Sequence, residues 1–265
     1  MSGERSVPAT PAARLTVLVP TRNESANVRP LIDRLSTAMT EPTVVLFVDD
    51  SDDDTPAAVT ETARTCAPHL DVRLLHRPSE HRAGGLGGAV EAGLRVAETD
   101  FIAVMDGDLQ HPPESLPILL NRAARDGADL VVASRYVAGG RNQGLGLVRT
   151  AVSIGSTVLA KVAFPRRLRG ILDPMSGFFL VRRAAITEPL QPNGFKILLE
   201  IAVRHPDMIR CEVPFVFAER EVGKSKGTLR EGLRFLALLT TMRRSLHVRS
   251  ARSHSLRLET ASEVT

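Results

Sequence analysis

Residues 101–114 read Phe-Ile-Ala-Val-Met-Asp-Gly-Asp-Leu-Gln-His-Pro-Pro-Glu. Five apolar residues, Phe101–Met105, give way to Asp106 and Asp108, and then to a Pro-Pro pair that suits the first turn of a helix. The stretch reads as strand, polar turn, helix, with the chemistry at the strand's carboxyl end. Asp106, Asp108 and Gln110 can turn there toward one hard cation, and their oxygen donors suit Mg2+ or Mn2+. Mg2+ takes only one or two protein carboxylates and completes its shell with substrate phosphates, which predicts a diphosphate ligand. Taken alone, the segment also reads as a solvated acidic turn with helix-capping aspartates.

The same rhythm extends on both sides. Apolar runs at Leu15–Val19, Val44–Val48, Val72–Leu75 and Leu130–Ala133 read as further strands. Between them Val28, Leu31, Ile32, Leu35 and Met39 fall at helical spacing, a polar helix is expected over Thr55–Ala67, and a Gly-opened helix around Gly88–Ala97. Strands alternating with helices of about a dozen residues imply an α/β fold, a mostly parallel central sheet flanked by helices. Beyond residue 140 the rhythm is lost. Gly139–Gly144 reads as a flexible loop, Thr150–Phe164 and Phe195–Val203 as helices, and Phe178–Val181 and Val213–Phe217 as strands. The expected organisation is a disordered leader 1–13, a catalytic domain 14–231, an amphipathic helix 232–248 and a disordered tail 249–265.

In open α/β sheets, ligands bind beyond the carboxyl ends of the strands. Those ends carry Pro20-Thr21-Arg22-Asn23-Glu24, Asp49-Asp50-Ser51-Asp52-Asp53-Asp54, the Asp106–Glu114 stretch and Ser134-Arg135-Tyr136. Five aspartates in six residues repel one another unless partners neutralise some. Asp54 or Thr55 is expected to cap the next helix, whereas Asp50, just past its strand, is placed to hydrogen-bond a base or ribose hydroxyl. Gly84–Gly88 does not meet G-x-G-x-x-G and follows the third strand, which disfavours a Rossmann oxidoreductase; a tight loop opening a helix near the ligand edge is the expectation. The seven histidines form no H-x-x-x-H pair and read mostly as surface residues, and no G-x-S-x-G elbow is present. Arg220, Lys224, Lys226 and Arg230 form a Gly-containing basic loop, read either as a solvated hairpin or as a lid over phosphates.

The 265 residues are 43% hydrophobic and 24% charged, which fits one globular domain, or two small ones, and excludes wholesale disorder. Cys66 and Cys211 belong to no CxxC pair, against a disulfide framework or structural zinc. No apolar run reaches the roughly 18 residues of a membrane span, and Met1–Glu4 lacks a signal pattern, so an intracellular protein is expected. The net charge of +4 is uneven. Between Arg220 and Arg257 stand 10 Lys/Arg and 2 Asp/Glu, a local excess of +8. An anionic surface is the implied partner. With no Trp and one Tyr, nucleic acid is disfavoured against a membrane surface or a phosphorylated ligand.

Taken together, these motifs resemble the polyprenol-phosphate (dolichol-phosphate) mannosyltransferases of glycosyltransferase family 2, with their GT-A fold. Val17–Glu24 is similar to the family's V-P-T-Y-N-E opening, and Asp106–Glu114 to its D-A-D-L-Q-H-P-P-E metal motif. Ser134–Tyr136 is similar to S/T-R-Y, Asp173–Phe178 to D-x-x-S-G-F, and Gly194–Glu200 to G-F-K-I-L-L-E. Val213–Lys226 is similar to V-P-F-x-F-x-x-R-x-x-G-x-S-K. The resemblance runs from about Leu15 to Phe235, six motifs in order. It implies that Pro20, Arg22, Glu24, Val48 and Asp50 hold the nucleoside. It further implies that Asp106, Gly107, Asp108 and Gln110 hold metal and diphosphate, and that Arg135, Lys196, Arg220 and Lys226 contact phosphates. Arg22 stands for the usual Tyr, Gly107 for Ala and Gly227 for Leu, and the Val48–Thr55 stretch is one residue short of the family's pattern.

The resemblance implies inverting transfer of a hexose, foremost mannose from GDP-mannose, to a polyprenyl or dolichyl phosphate. The acceptor phosphate would attack directly, with Asp108, Arg135 and Arg220 as the catalytic residues and Mg2+ or Mn2+ as cofactor. The protein would then be peripheral on the cytoplasmic membrane face, with Thr150–Phe164 and Gly232–Val248 lying on the lipid; the alternative is that these helices pack internally or dimerise. The rival activities are transfer from a UDP-sugar, transfer to a hydroxyl acceptor with Asp173 as base, and non-catalytic nucleotide-sugar binding.

Overall fold

Alternate residues of the central strands enter two different cores. On one side Leu18, Leu46, Val48, Ile102, Val104, Val132 and Phe179 are buried together, and on the other Val17, Val19, Val45, Phe47, Ala103, Val131 and Phe178. Near-continuous apolar runs produce this pattern, because a strand covered on both faces has no polar side to show. A computed structural model describes residues 13–142, 147–190, 196–217 and 235–246. Strands β1 (Leu15–Thr21), β2 (Thr43–Asp49), β3 (Leu70–His76), β4 (Phe101–Val104), β5 (Leu130–Ser134), β7 (Phe179–Arg182) and β8 (Arg210–Pro214) form one sheet. Their order is β3-β2-β1-β4-β7-β5-β8. All pairs are parallel except those of β7, which runs antiparallel to both β4 and β5.

Helices α1 (Ser25–Ala38), α2 (Thr55–Thr65) and α4 (Leu116–Asp126) contribute to one core, and α3 (Gly85–Val96), α5 (Leu147–Ala163) and α6 (Ile197–Arg204) to the other. α3 packs close on the sheet through Gly93, where a Cβ would sit 2.4 Å from Leu18 Cδ1 and 2.9 Å from Val48 Cγ2. The second core is completed by a helix over 235–246, α7, which buries Phe235, Leu238, Leu239 and Met242. This is the described part of the amphipathic helix expected over 232–248. Of the leader only Ala13 is described, and the tail 249–265 lies outside the described residues.

Two local expectations need correction. The loop 139–144 is not wholly irregular, since β6 (Arg141–Asn142) pairs in parallel with β9 (Val216–Phe217); residues 143 and 144 lie outside the described part. The start of α2 is held neither by Asp54 nor by Thr55 as a side-chain cap. Asp54 makes no side-chain cap bond, and the Asp53 carboxylate instead accepts from the Thr55 amide (3.0 Å) and hydroxyl (2.5 Å). Slight burial opposes the charge on Asp53, but these bonds outweigh it and hold its carboxyl below the ordinary value.

Candidate active site

The carboxyl ends of β1, β2 and β4 and the first turn of α3 surround a cavity of about 250 Å3. Its wall includes Pro20, Arg22, Glu24, Asp50, Asp106, Gly107 and Asp108. Gly85, Leu86 and Ala89 of α3 line it as well. The Gly-rich run thus starts a helix at the ligand edge, with Gly84 in the left-handed region at φ 80°. Val48, named with this group from the resemblance, lies in the core against α3.

Three aspartates of the acidic run, Asp49, Asp50 and Asp52, find partners at the end of β3 and in the loop after it. Asp49, fully buried, accepts from the hydroxyls of Thr21 (2.8 Å) and Ser51 (2.5 Å), and pairs with His76 Nδ1 at 2.8 Å. Asp50 is gripped by Arg77 and Asp52 by Arg82. The loop is tied to the β1 end as well: the Asn23 amide donates to Ser51 Oγ, and the Glu24 amide to Thr55 Oγ1.

Past β4 the chain turns sharply at Leu109, whose φ of 63° is left-handed and whose side chain is buried in the core. This turn leaves Asp106 at the cavity with its side chain 39% exposed, while Asp108 and Gln110 are buried. The Gln110 amide N–H donates to Asp108 Oδ1 at 3.2 Å. His111 is almost wholly buried, packed against Phe178, Phe215 and Phe217, and its Nδ1 accepts the Asp106 amide N–H at 2.9 Å. It is not the surface histidine that its scattered position in the sequence suggests, and its neutral tautomer carries the proton on Nε2. Gly177 abuts the same turn; a Cβ there would meet His111 Cε1 at 3.1 Å and Asp106 Oδ2 at 3.4 Å. The stretches 106–111 and 173–178, far apart in sequence, are therefore in contact.

As a cation site, this turn supplies two carboxylates, Asp106 and Asp108, on one cavity wall. Among the described residues no group of three or more His, Cys, Asp and Glu could hold a metal ion. The donor set fits a hard cation that draws the rest of its shell from phosphate oxygens, and does not fit an all-protein cage.

Arg135, just past β5, is bound side-on by Asp173, with Nε to Oδ2 and Nη2 to Oδ1 both at 2.8 Å and both side chains buried. Burial works against the guanidinium charge, but the Asp173 carboxylate outweighs it, so Arg135 holds its proton more firmly than an ordinary arginine. Asp173 is itself positioned by Glu212 of β8, which accepts the amides of Leu172 (2.7 Å) and Asp173 (2.9 Å). Lys196 is the N-cap residue of α6, whose last carbonyls are satisfied by Arg167 and Arg210. Ile197 and Gly177 line one small cleft with Asp106. Arg220, Lys224, Lys226 and Arg230 lie outside the described residues.

His111, Arg77, Arg82 and Glu212 were not singled out from the sequence. The excess of aspartates in 49–54 demanded partners, and the only sequence trace of them is the basic spacing of His76, Arg77 and Arg82. No signal marked Glu212.

A family model described as glycosyl transferase family 2 matches residues 16–188. Dolichol-phosphate mannosyltransferase of Pyrococcus furiosus is 37% identical over 214 residues, which cover 80% of this chain and 59% of that protein. The chain therefore spans well under two thirds of that relative's length. The Saccharomyces cerevisiae protein of the same name is 33% identical, with 80% of each chain covered. Polyprenol monophosphomannose synthase of Mycolicibacterium smegmatis is 32% identical, with 85% of each covered. Among solved structures, glucosyl-3-phosphoglycerate synthase from Mycobacterium tuberculosis, with Mn2+, UDP-glucose and glycerol 3-phosphate, gives a TM-score of 0.63 at 18% identity. The alignment covers 87% of this chain and 80% of that one, a likeness of fold that identifies the architecture as GT-A. Sequence and fold together place the chain in glycosyl transferase family 2, beside relatives named as dolichol- and polyprenol-phosphate mannosyltransferases.

Proposed function

We propose that this protein transfers a hexose, foremost mannose from GDP-mannose, to the phosphate of a polyprenyl lipid. The observation that carries the reading is one cavity lined by Arg22, Glu24 and Asp50, by Asp106 and Asp108, and by the first turn of α3. The lining offers hydrogen-bonding groups to a nucleoside and carboxylates to a cation-bound diphosphate. The names of the relatives support the acceptor and the sugar.

An oxygen of the acceptor phosphate forms a bond to the anomeric carbon as the bond from that carbon to the diphosphate oxygen breaks. The electron pair leaves with the nucleoside diphosphate, and configuration inverts. The acceptor is already an anion at neutral pH, so no side chain has to remove a proton. Asp106, Asp108 and Gln110 would hold Mg2+ or Mn2+, which when bound offsets the charge growing on the leaving diphosphate. Arg135, committed to Asp173 through Nε and Nη2, would present its Nη1 edge to the acceptor phosphate, with Lys196, Arg220 and Lys226 as further cations. The committed geometry of Asp173 disfavours the hydroxyl-acceptor reading, because both of its oxygens already accept from Arg135.

Among the described residues no helix is long and apolar enough to cross a membrane. α7 turns Phe235, Leu238, Leu239 and Met242 into the core and leaves Leu236 exposed, whereas α5 exposes Val152, Val158 and Val162, the last at 72%. A role on the cytoplasmic membrane face therefore falls to α5, with Arg166 and Arg169 exposed beside its end to meet headgroups.

The test is transfer of radiolabel from GDP-mannose, UDP-glucose and UDP-N-acetylglucosamine to polyprenyl phosphate, with Mg2+ or Mn2+. Label passing into the organic phase from GDP-mannose alone is the expected result. Transfer from a UDP-sugar instead would overturn the donor assignment, and transfer from none would overturn the acceptor.

A further inference from the structure

Arg77 follows β3 and belongs to none of the motifs above, yet its side chain has the geometry of a dedicated part. It is 7% exposed. Nε donates to Asp50 Oδ1 at 2.7 Å and Nη2 to Asp50 Oδ2 at 2.6 Å, while Nη2 also donates to the Gly85 carbonyl at 3.1 Å. Asp50 and Gly85 are both in the wall of the candidate nucleotide cavity, one from the end of β2 and one from the start of α3. A single guanidinium thus ties two walls together.

The backbone around Arg77 is fixed too. Its amide donates to the Asp49 carbonyl at 2.8 Å, and its own carbonyl accepts from Arg82 Nε at 2.9 Å. Arg82 reaches on to Asp52 and to the Ser51 carbonyl. Gly88 leaves room first for the Ala83 carbonyl oxygen, 2.0 Å from where a Cβ would lie, and then for Arg77 Nη1 at 3.1 Å.

We propose that Arg77 is a positioning residue for the donor's nucleoside. Its planar fork fixes both the plane of the Asp50 carboxylate and the distance from that carboxylate to the first turn of α3. A lysine would supply the charge as a point and leave the plane free to rotate. Asp49 is saturated by Thr21, Ser51 and His76, so Asp50, which lines the cavity, is the member of the pair with acceptor capacity left for a ligand. The inference rests on the reading of this cavity as the nucleotide site.

The experiment titrates the full chain and its Arg77→Lys, Asp50→Asn and Arg77→Lys/Asp50→Asn variants with GDP and UDP in the presence of Mg2+. Thermal melts without nucleotide, and donor KM and kcat, are measured alongside. Arg77→Lys is expected to melt near the wild type yet bind nucleoside diphosphate about 10-fold more weakly, the scale of one charge-assisted hydrogen bond. The loss should appear in donor KM with kcat nearly unchanged, and the double variant should bind no more weakly than Asp50→Asn alone. Wild-type affinity in Arg77→Lys, or additive losses in the double variant, would overturn the role of Arg77 while leaving the cavity assignment intact. Unchanged binding in Asp50→Asn would overturn the cavity assignment itself. Should Arg77→Lys melt far below the wild type, its affinity at a temperature where it is folded decides the same question.

Discussion

Arg135 and Asp173 meet through two parallel contacts of 2.8 Å at the carboxyl edge of the sheet, with the carboxylate wholly buried. The pair has a second side: Arg135 Nη2 lies 3.5 Å from Ser153 Oγ of α5, and the Tyr136 hydroxyl 3.2 Å from the same atom. Replacing Asp173 by Asn leaves the guanidinium buried without its counter-charge. The expected loss is about 3–5 kcal/mol of folding stability, read by denaturant unfolding. A general base would behave differently, losing turnover at wild-type stability.

Removal of divalent cations should abolish transfer, and Mg2+ or Mn2+ should restore it. Asp108→Asn should weaken cation binding and turnover together without shifting the unfolding midpoint of the cation-free protein by much. Cation titration by calorimetry, beside the chelator-treated activity assay, checks both halves. Unchanged activity after exhaustive chelation would remove the cation from the reaction.

His111→Phe preserves the ring among Phe178, Phe215 and Phe217 but deletes the acceptor for the Asp106 amide. An unsatisfied buried donor costs about 1–3 kcal/mol. The expected signature is a stability loss of that size together with weakened cation binding, because Asp106 is no longer held in its turn. Thermal unfolding and cation titration of the same preparation separate the two effects.

The link between α1 and the turn before α4 should depend on pH. Arg34 donates to both oxygens of Glu114, which holds that carboxyl below its ordinary 4.5, although partial burial pulls the other way. A carboxyl whose folded value is depressed adds stability above its unfolded value and loses it as pH falls through the folded value. Both side chains are more than a third exposed, so the contribution is at most about 1 kcal/mol. Glu114→Gln should therefore lower the unfolding midpoint at pH 7, and the difference should shrink as pH falls below 4.5 through the depressed folded value.

Strand positions were legible because both faces of the sheet are covered, which leaves apolar runs that no other element would explain. Strand direction was not. Phe179–Arg182 reads as a strand whichever way it runs, and only the pairing of Val104 with Phe179 and Phe101 with Arg182 reveals that it is reversed. In the site, Pro20, Arg22, Glu24, Asp50, Asp106, Gly107 and Asp108 could be named because strand ends gather residues in one place. The partners that hold them could not. Arg77 stands 27 residues beyond Asp50, and Glu212 stands 39 beyond Asp173. Periodicity carries no information about a contact between two loops. Asp54 is the N-cap residue of α2, as expected, but the side-chain bond comes from Asp53: three adjacent aspartates offer the same chemistry, and only the backbone turn decides which one reaches Thr55.

The reversed strand also dictates an order of assembly. β4 and β5 do not pair with each other; β7, which is synthesised last of the three, lies between them and pairs with both. A nascent chain that has emerged only as far as Ser134 therefore displays an open apolar edge on β4 and another flank on β5, the kind of surface on which chains aggregate. Phe179–Arg182 fills the place between them, and the residues just before it bring Gly177 against Asp106 at the edge where the reaction is proposed to occur. Joining the β4 and β5 parts of the sheet and bringing Gly177 to Asp106 both require this stretch, and no fragment ending before Arg182 contains all of it.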